Sequence, residues 1–499
     1  MPQSKSFQRI DPVYLWLIFL LVVASILRFY HYSAFSFSND ELSAINRLRF
    51  NTFHELVDKG FYVDGHPGGI QVMLWYWVKL FGVTEASLRL PFVIFGIFSV
   101  LLAFLIGKRL FGEVAGLFAA TALTFLEFPL LYSQIARPYG SGLFFGLLMT
   151  WFWIRVIENT DTEPAKKRYL NLAGFTLGVV LCMYNHYFSF LLAVIVGIAG
   201  VFIVKRNRLP QYIIAGLLAC LLFLPHLYIT LNHLTYKGVG LWLGKPSPSW
   251  IPDHLVFIFN NQWWLLVISI MVAAILAWLN RNNLTCNKFR VLMLVFFLAP
   301  MLTGYIYSLA VNPVLQHPVL IFSFPFLLLF IFSFAGEKLT RLHSAILALF
   351  LLAGIFSTVV YGRYYHKQHF GEFKDVAARI SQASKTYGYK NLTNVVSANN
   401  PYYLQYYFDR QQDSITLDMT NITADSLESL GRLVRNCGTA YLSYSWTKPS
   451  PPEAVDMIMA SYPYIVDNKD YEGLSSFTLF ARNKPATSYQ ADQVISTSL

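Results

Sequence analysis

"ASLRLPFVIFGIFSVLLAFLIGKRLFG", residues 86–112, is apolar for about 20 residues between one arginine near its start and a Lys-Arg pair at its close. At 1.5 Å of rise per residue such a run crosses a hydrocarbon core of roughly 30 Å as a helix. Comparable runs flank it on both sides, near 14–30, 113–131, 141–157, 170–184, 188–204, 212–231, 255–279, 291–310, 319–334 and 343–361, so about eleven spans are expected. The chain's 499 residues are 55% hydrophobic and only 13% charged, with a mean hydropathy of +0.46, which excludes an ordinary soluble globular protein. The first run lacks a small-residue cleavage site and reads as a retained span rather than a removed signal peptide.

Lysine and arginine in the short connections set the orientation. With a cytoplasmic N-terminus, that side receives Lys108, Arg109, Lys166, Lys167, Arg168, Lys205, Arg206, Arg208, Arg281, Lys288, Arg290, Lys338 and Arg341. The opposite short connections hold little more than Arg137, Lys237 and Lys245. The positive-inside rule then gives an odd number of spans and an outer C-terminus, and it accounts for most of the net charge of +11 without a nucleic-acid partner. Of four cysteines, only Cys437 falls on the outer side, so no disulfide framework is expected there.

Two outer segments exceed simple loops. The first, about 36–87, carries "FHELVDKGFYV" and "IQVMLWYWVKLFG" at partly helical spacing and suits helices lying along the membrane surface. The second, 364–499, is less apolar. There "NVVSAN", "SITLDM" and "TAYLSYSW" read as strands, and "PYYLQYYF" and "PPEAVDMIMASY" as helices. The expected organisation is a transmembrane domain, 1–363, followed by a small extracytoplasmic α/β domain, 364–499.

The polar residues left over gather on one side. Asp40 and Glu41 follow the first span, "VDGHPGG" holds His66, "YSQIARPYG" holds Arg137 and Tyr139, "YNHYF" holds His186, and the connection after 231 holds Lys237 and Lys245. Carboxylates, histidines and cations converging at one water–lipid boundary suit a reaction on a lipid-linked anionic substrate. Each has a plainer reading as well. Ser38 or Asn39 before Asp-Glu-Leu is a helix cap with acids in the first turn. His66 before Pro-Gly-Gly belongs to a turn, Arg137 at a span end can snorkel, and the two lysines can face lipid headgroups.

The Asp-Glu pair, "DGHPGG", the 86–112 stretch, "YSQIARPYG", "NHYF" and "EFKDVAARI" occur in this order over about three quarters of the chain. The pattern resembles the GT-C superfamily of integral-membrane glycosyltransferases, in the branch of protein O-mannosyltransferases and lipid A aminoarabinose transferases. The resemblance implies a GT-C fold and inverting transfer of a sugar from a polyprenyl-phosphate carrier to an acceptor (protein, lipid or glycan) on the outer side. It makes Asp40 the general base, Glu41 its neighbour in positioning the acceptor, and Arg137 the phosphate ligand with Tyr139 beside it. His66 and His186 become site-lining. Where relatives carry two prolines after the histidine, this chain has Pro67-Gly68-Gly69. Where many carry an arginine near the tenth span it offers Gln316 and His317, so His317, Lys237 or Lys245 would take the phosphate. No cofactor is required by this chemistry; a divalent metal is an alternative, in an oligosaccharyltransferase-like enzyme with a pyrophosphate carrier, and transport of a lipid or sugar is another. Short loops without a large luminal insertion point to a bacterial inner membrane. Sugar, acceptor and oligomeric state stay open.

Overall fold

The computed structural model describes residues 11–160, 162–235, 243–397, 400, 402–419, 427–446 and 452–485. The chain divides into two compact units, one of residues 1–32 and 47–365, the other of 33–46 and 366–499. The first unit is helical. Among the described residues, six of its helices are long and apolar enough to cross a membrane: Pro12–Phe29, Glu85–Phe111, Pro138–Glu158, Arg206–Thr235, Lys288–Ala310 and Arg341–Tyr361.

Two further expected spans are broken. Glu113–Phe125 and Glu127–Ser133 meet at 62°, and Trp250–Ile258 and Trp263–Leu279 at 75°, which raises the number of candidate crossings to eight. The expected spans at 170–184, 188–204 and 319–334 are helical too, but within Ala165–Asn185, which opens on Lys-Lys-Arg, the 17-residue Tyr187–Ile203, and the short Phe324–Phe332. The first break falls at Leu126, whose backbone is extended; the second falls at Asn260 and Asn261, both left-handed with φ of 61° and 55°.

Both breaks free backbone groups that apolar surroundings cannot satisfy. The buried Arg28 donates to the carbonyls of Leu123 (2.8 Å) and Thr124 (3.2 Å), and the Thr358 hydroxyl donates to that of Phe125 (2.6 Å). Across the gap, the Glu127 amide donates to Asn260 Oδ1 (2.8 Å), while Asn260 Nδ2 donates to the hydroxyls of Ser357 and Thr358. Ser357 and Thr358 lie in a π-helical turn, Phe356–Tyr361, that ends the last span. The break therefore has its own polar knot. Elsewhere the packing is close: a Cβ on Gly116 would lie 2.5 Å from the Phe104 carbonyl oxygen, so Glu113–Phe125 crosses Glu85–Phe111 nearly backbone to backbone.

The second unit is an α/β sandwich layer. Its strands are β1 (Leu392–Ser397), β2 (Asp418–Met419), β3 (Tyr441–Trp446), β4 (Tyr464–Asp470) and β5 (Ser476–Ala481), in the order β2-β1-β3-β5-β4. β2, β1 and β3 are parallel and β3, β5 and β4 antiparallel. Val395, Leu442, Tyr444 and Phe480 pack under Leu430, Val434, Ala454 and Ile458 of the helices Leu427–Asn436 and Pro452–Met459. The stretch "SITLDM" contributes only the two-residue β2, and β4, β5 and the helices Phe373–Tyr387 and Leu427–Asn436 complete the unit. Residues 33–46 belong to it as well. The Phe37 amide donates to the Tyr407 hydroxyl (2.8 Å), the Phe373 amide donates to Ser36 Oγ (3.1 Å), and Phe37 is wholly buried.

Candidate active site

In the first unit, three of the expected residues come together. His66 sits in the turn before the helix Gly69–Phe81, Arg137 caps the N-terminus of Pro138–Glu158, and His186 caps that of Tyr187–Ile203. The Asn185 amide draws the last two close: Nδ2 donates to the Pro138 carbonyl (2.7 Å) and Oδ1 accepts from the Ser141 hydroxyl (2.6 Å). Arg137 Nη2 lies 3.1 Å from His66 Nδ1, and the rings of His66 and His186 are 4.9 Å apart. Tyr139 stacks obliquely on His186 at 6.1 Å and edge-on to Tyr132 at 4.9 Å. His186 Nδ1 accepts from the Phe188 amide (3.1 Å), which leaves its proton on Nε2 in the neutral ring.

Two residues outside the expected set complete the cluster. Asp64, two positions before His66, lies 2.9 Å from His66 Nδ1 and 3.8 Å from Arg137 Nη2, and it accepts from Arg47 Nη2 at 2.8 Å. Nδ1 of His66 therefore either donates to Asp64 or accepts from Arg137; one nitrogen cannot do both. Burial alone would raise the Asp64 carboxyl, yet His66, Arg137 and Arg47 outweigh it and hold the group well below the usual carboxylate range. The signal for Asp64 was its place inside "VDGHPGG"; for Arg47 the sequence offers only a basic residue soon after the Asp-Glu pair.

The helix Leu209–Thr235 anchors the turn from its other side. His226 Nε2 accepts from the Gly68 amide (3.0 Å) and its Nδ1 donates to Thr230 Oγ1 (2.9 Å). His233, two helical turns on, donates from Nε2 to the Phe61 carbonyl (2.8 Å) and accepts at Nδ1 from the Tyr187 hydroxyl (2.7 Å). Gly68 stands where the second proline is expected, for two reasons: a Cβ there would lie 2.5 Å from the Phe61 ring, and proline would lack the amide that donates to His226.

The other expected residues fall on other elements. His317 faces His254, Nδ1 to Nδ1 at 2.8 Å, in a stack with Trp250 and Phe257. Lys245 is exposed, and Lys237 lies outside the described residues. Asp40 and Glu41 belong to the second unit, in the helix Asn39–Asn46. Glu41 is buried in a capping box: its Oε2 accepts from the Ser38 amide (2.9 Å) and hydroxyl (3.1 Å), while the Glu41 amide donates back to Ser38 Oγ (3.3 Å). The cap reading thus holds for Glu41, and the box leaves Asp40 exposed one residue before it. Among the described residues no group of three or more His, Cys, Asp or Glu is placed to hold a metal ion. The Asp64–His66 pair faces a guanidinium and does not fit a cation.

Comparison with known proteins agrees with the expected fold. Residues 65–229 match the profile of the dolichyl-phosphate-mannose-protein mannosyltransferase family. The structure of ArnT from Cupriavidus metallidurans in the apo state is similar with a TM-score of 0.59, at 10% identity over 95% of this chain and 99% of that one. The same protein bound to undecaprenyl phosphate is similar with a TM-score of 0.58, at 10% identity over 94% and 98%. The Archaeoglobus fulgidus oligosaccharyltransferase in complex with Zn and sulfate follows at 0.49, with 11% identity over 86% and 68%. No curated protein matches in sequence. The chain is an integral-membrane protein of GT-C fold with a small C-terminal α/β unit.

Proposed function

We propose that the protein is an inverting glycosyltransferase that moves a sugar from a polyprenyl-phosphate carrier to an acceptor on the outer side of a bacterial inner membrane, with its N-terminus in the cytoplasm. The observation that carries this reading is the buried Arg137 at the N-terminus of a 21-residue helix, with two histidines against it. A guanidinium and a helix N-terminus together favour a phosphate. The ArnT structure with undecaprenyl phosphate bound supports such a carrier.

Chemically, the acceptor's O–H or N–H proton passes to a carboxylate as the acceptor attacks the anomeric carbon. The bond from that carbon to the phosphate oxygen breaks, and the carrier phosphate leaves with an added negative charge that Arg137 stabilises. Asp64 is a poor base because its surroundings, His66, Arg137 and Arg47, hold the carboxyl in its charged form. Asp40, exposed and carried forward from the resemblance, is assigned the proton, and Glu41 fixes the turn that presents it. Tyr139, His66 and His186 line the donor side.

The test is turnover of purified protein with polyprenyl-phosphate-linked mannose and, separately, aminoarabinose, in the presence of a crude membrane and periplasmic extract. Asp40→Asn is expected to lower the rate about 10²–10⁴-fold at unchanged donor binding, and Arg137→Gln to weaken the donor. Turnover that survives Asp40→Asn removes Asp40 as base. Activity abolished by a chelator and restored by a divalent ion favours the metal-dependent, pyrophosphate-carrier alternative.

A further inference from the structure

The helices Pro138–Glu158 and Ala165–Asn185 hold the candidate site where the first begins and the second ends. At their other ends, roughly 30 Å along a 21-residue helix, lies a second polar region. It is a cavity of about 130 Å³ bordered by Arg168, Asn207, Arg208 and Gln211 on its polar wall and by Val156 and Leu172 on the apolar one. Arg208 is set in place by donating to the Asn159 carbonyl at 2.8 Å. Six basic residues, Lys166, Lys167, Arg168, Lys205, Arg206 and Arg208, fall in the two four-residue stretches 165–168 and 205–208, and of these Arg168 and Arg208 border the cavity. The described acids of the adjoining connection are engaged: Glu163 with Lys167 and Glu158 with Arg109, each at 2.6 Å. Tyr169 borders the cavity and stands exposed at 63%, and Leu170 and Ile214, exposed at 59% and 62%, lie near the starts of the apolar helices Ala165–Asn185 and Leu209–Thr235.

We propose that this cavity binds the headgroup of an anionic phospholipid. Its phosphate meets Arg168 and Arg208, its hydroxyls meet Asn207 and Gln211, and its acyl chains leave past Tyr169 along the exposed apolar side chains of the two helices. The concave shape separates this from a diffuse basic surface, since Arg168 and Arg208, from two segments of the chain, border the same cavity and can face one phosphate. The exposed apolar side chains continuing from the rim separate it from a site for free phosphate, which would have no use for them.

The experiment is native mass spectrometry of the full-length protein in detergent, titrated with cardiolipin and with phosphatidylethanolamine, and repeated with inorganic phosphate as competitor. One cardiolipin is expected to be retained in preference to phosphatidylethanolamine. Arg168→Gln should weaken it about fivefold, the effect of one basic residue at an anionic surface. Arg341→Gln, in another basic connection, should leave it unchanged, and Arg168→Lys should restore part of the loss. Equal weakening by Arg168→Gln and Arg341→Gln would show diffuse attraction and overturn the proposal. Displacement of the lipid by millimolar phosphate would assign the cavity to a soluble anion instead, and retention of both lipids alike would remove the charge selectivity.

Discussion

Asp64 holds together two like charges, Arg47 and Arg137, and His66 faces it as well, with side chains of Arg47, Asp64 and Arg137 only 11%, 14% and 7% exposed. Removing one partner of a buried pair leaves the others uncompensated, a cost of about 3 kcal/mol or more. Asp64→Asn is therefore expected to lower the thermal unfolding temperature in detergent at neutral pH. The pH dependence has a definite sign. The folded carboxyl lies below its unfolded value, so the stabilisation is complete above about pH 4 and is lost only as pH falls further. The gap between wild type and Asp64→Asn should stay constant from pH 7 to pH 5 and shrink below pH 4; a gap that closes above pH 5 would overturn this reading. At this scale the sequence was half legible. His66, Arg137 and His186 stood out because polar residues at span ends are conspicuous, whereas His226 was absorbed into an apolar run and Asp64 looked like an ordinary turn residue beside its histidine.

Among the elements, the two broken spans carry the most information. Hydropathy sees only that 113–131 and 255–279 are apolar, and it cannot see that Leu126 is extended or that Asn260 and Asn261 turn left-handed. The partners that make those breaks tolerable, Arg28, Ser357 and Thr358, come from the first and last spans, so no local window contains the cause. Asn260→Ala removes the acceptor of the Glu127 amide and two donors at once. Each group left unsatisfied costs about 1–3 kcal/mol, and the expected result is a protein that inserts normally but unfolds several degrees lower. Gly116→Val tests the crossing of Glu85–Phe111 and Glu113–Phe125: its Cβ meets backbone atoms at 2.5 and 2.7 Å, which side-chain motion cannot relieve. The expected loss exceeds the 1–3 kcal/mol typical of overpacking and is read as reduced yield of folded protein in detergent.

For the whole molecule, composition and the order of motifs were enough to give a membrane protein of GT-C type with a small terminal α/β unit. The unit's membership was not legible, because residues 33–46 read naturally as the start of an outer loop and nothing local marks Phe37 as a core residue of a domain that begins at 366. Phe37→Ala is expected to destabilise the second unit by about 3–5 kcal/mol, as for other buried aromatic truncations. In differential scanning calorimetry the transition of that unit should move down while that of the helical unit stays in place.

Phe37 and its partner Tyr407 are 370 residues apart in the chain. At about 5–20 residues per second, a ribosome needs roughly 20–75 seconds to go from one to the other. Throughout that interval the helix bearing Asp40 and Glu41 has its local capping box but not the core it is destined to join. The second unit reaches its native form only after nearly the whole chain has been made, so a truncated product leaves Phe37 bare for the cell's proteases to recognise.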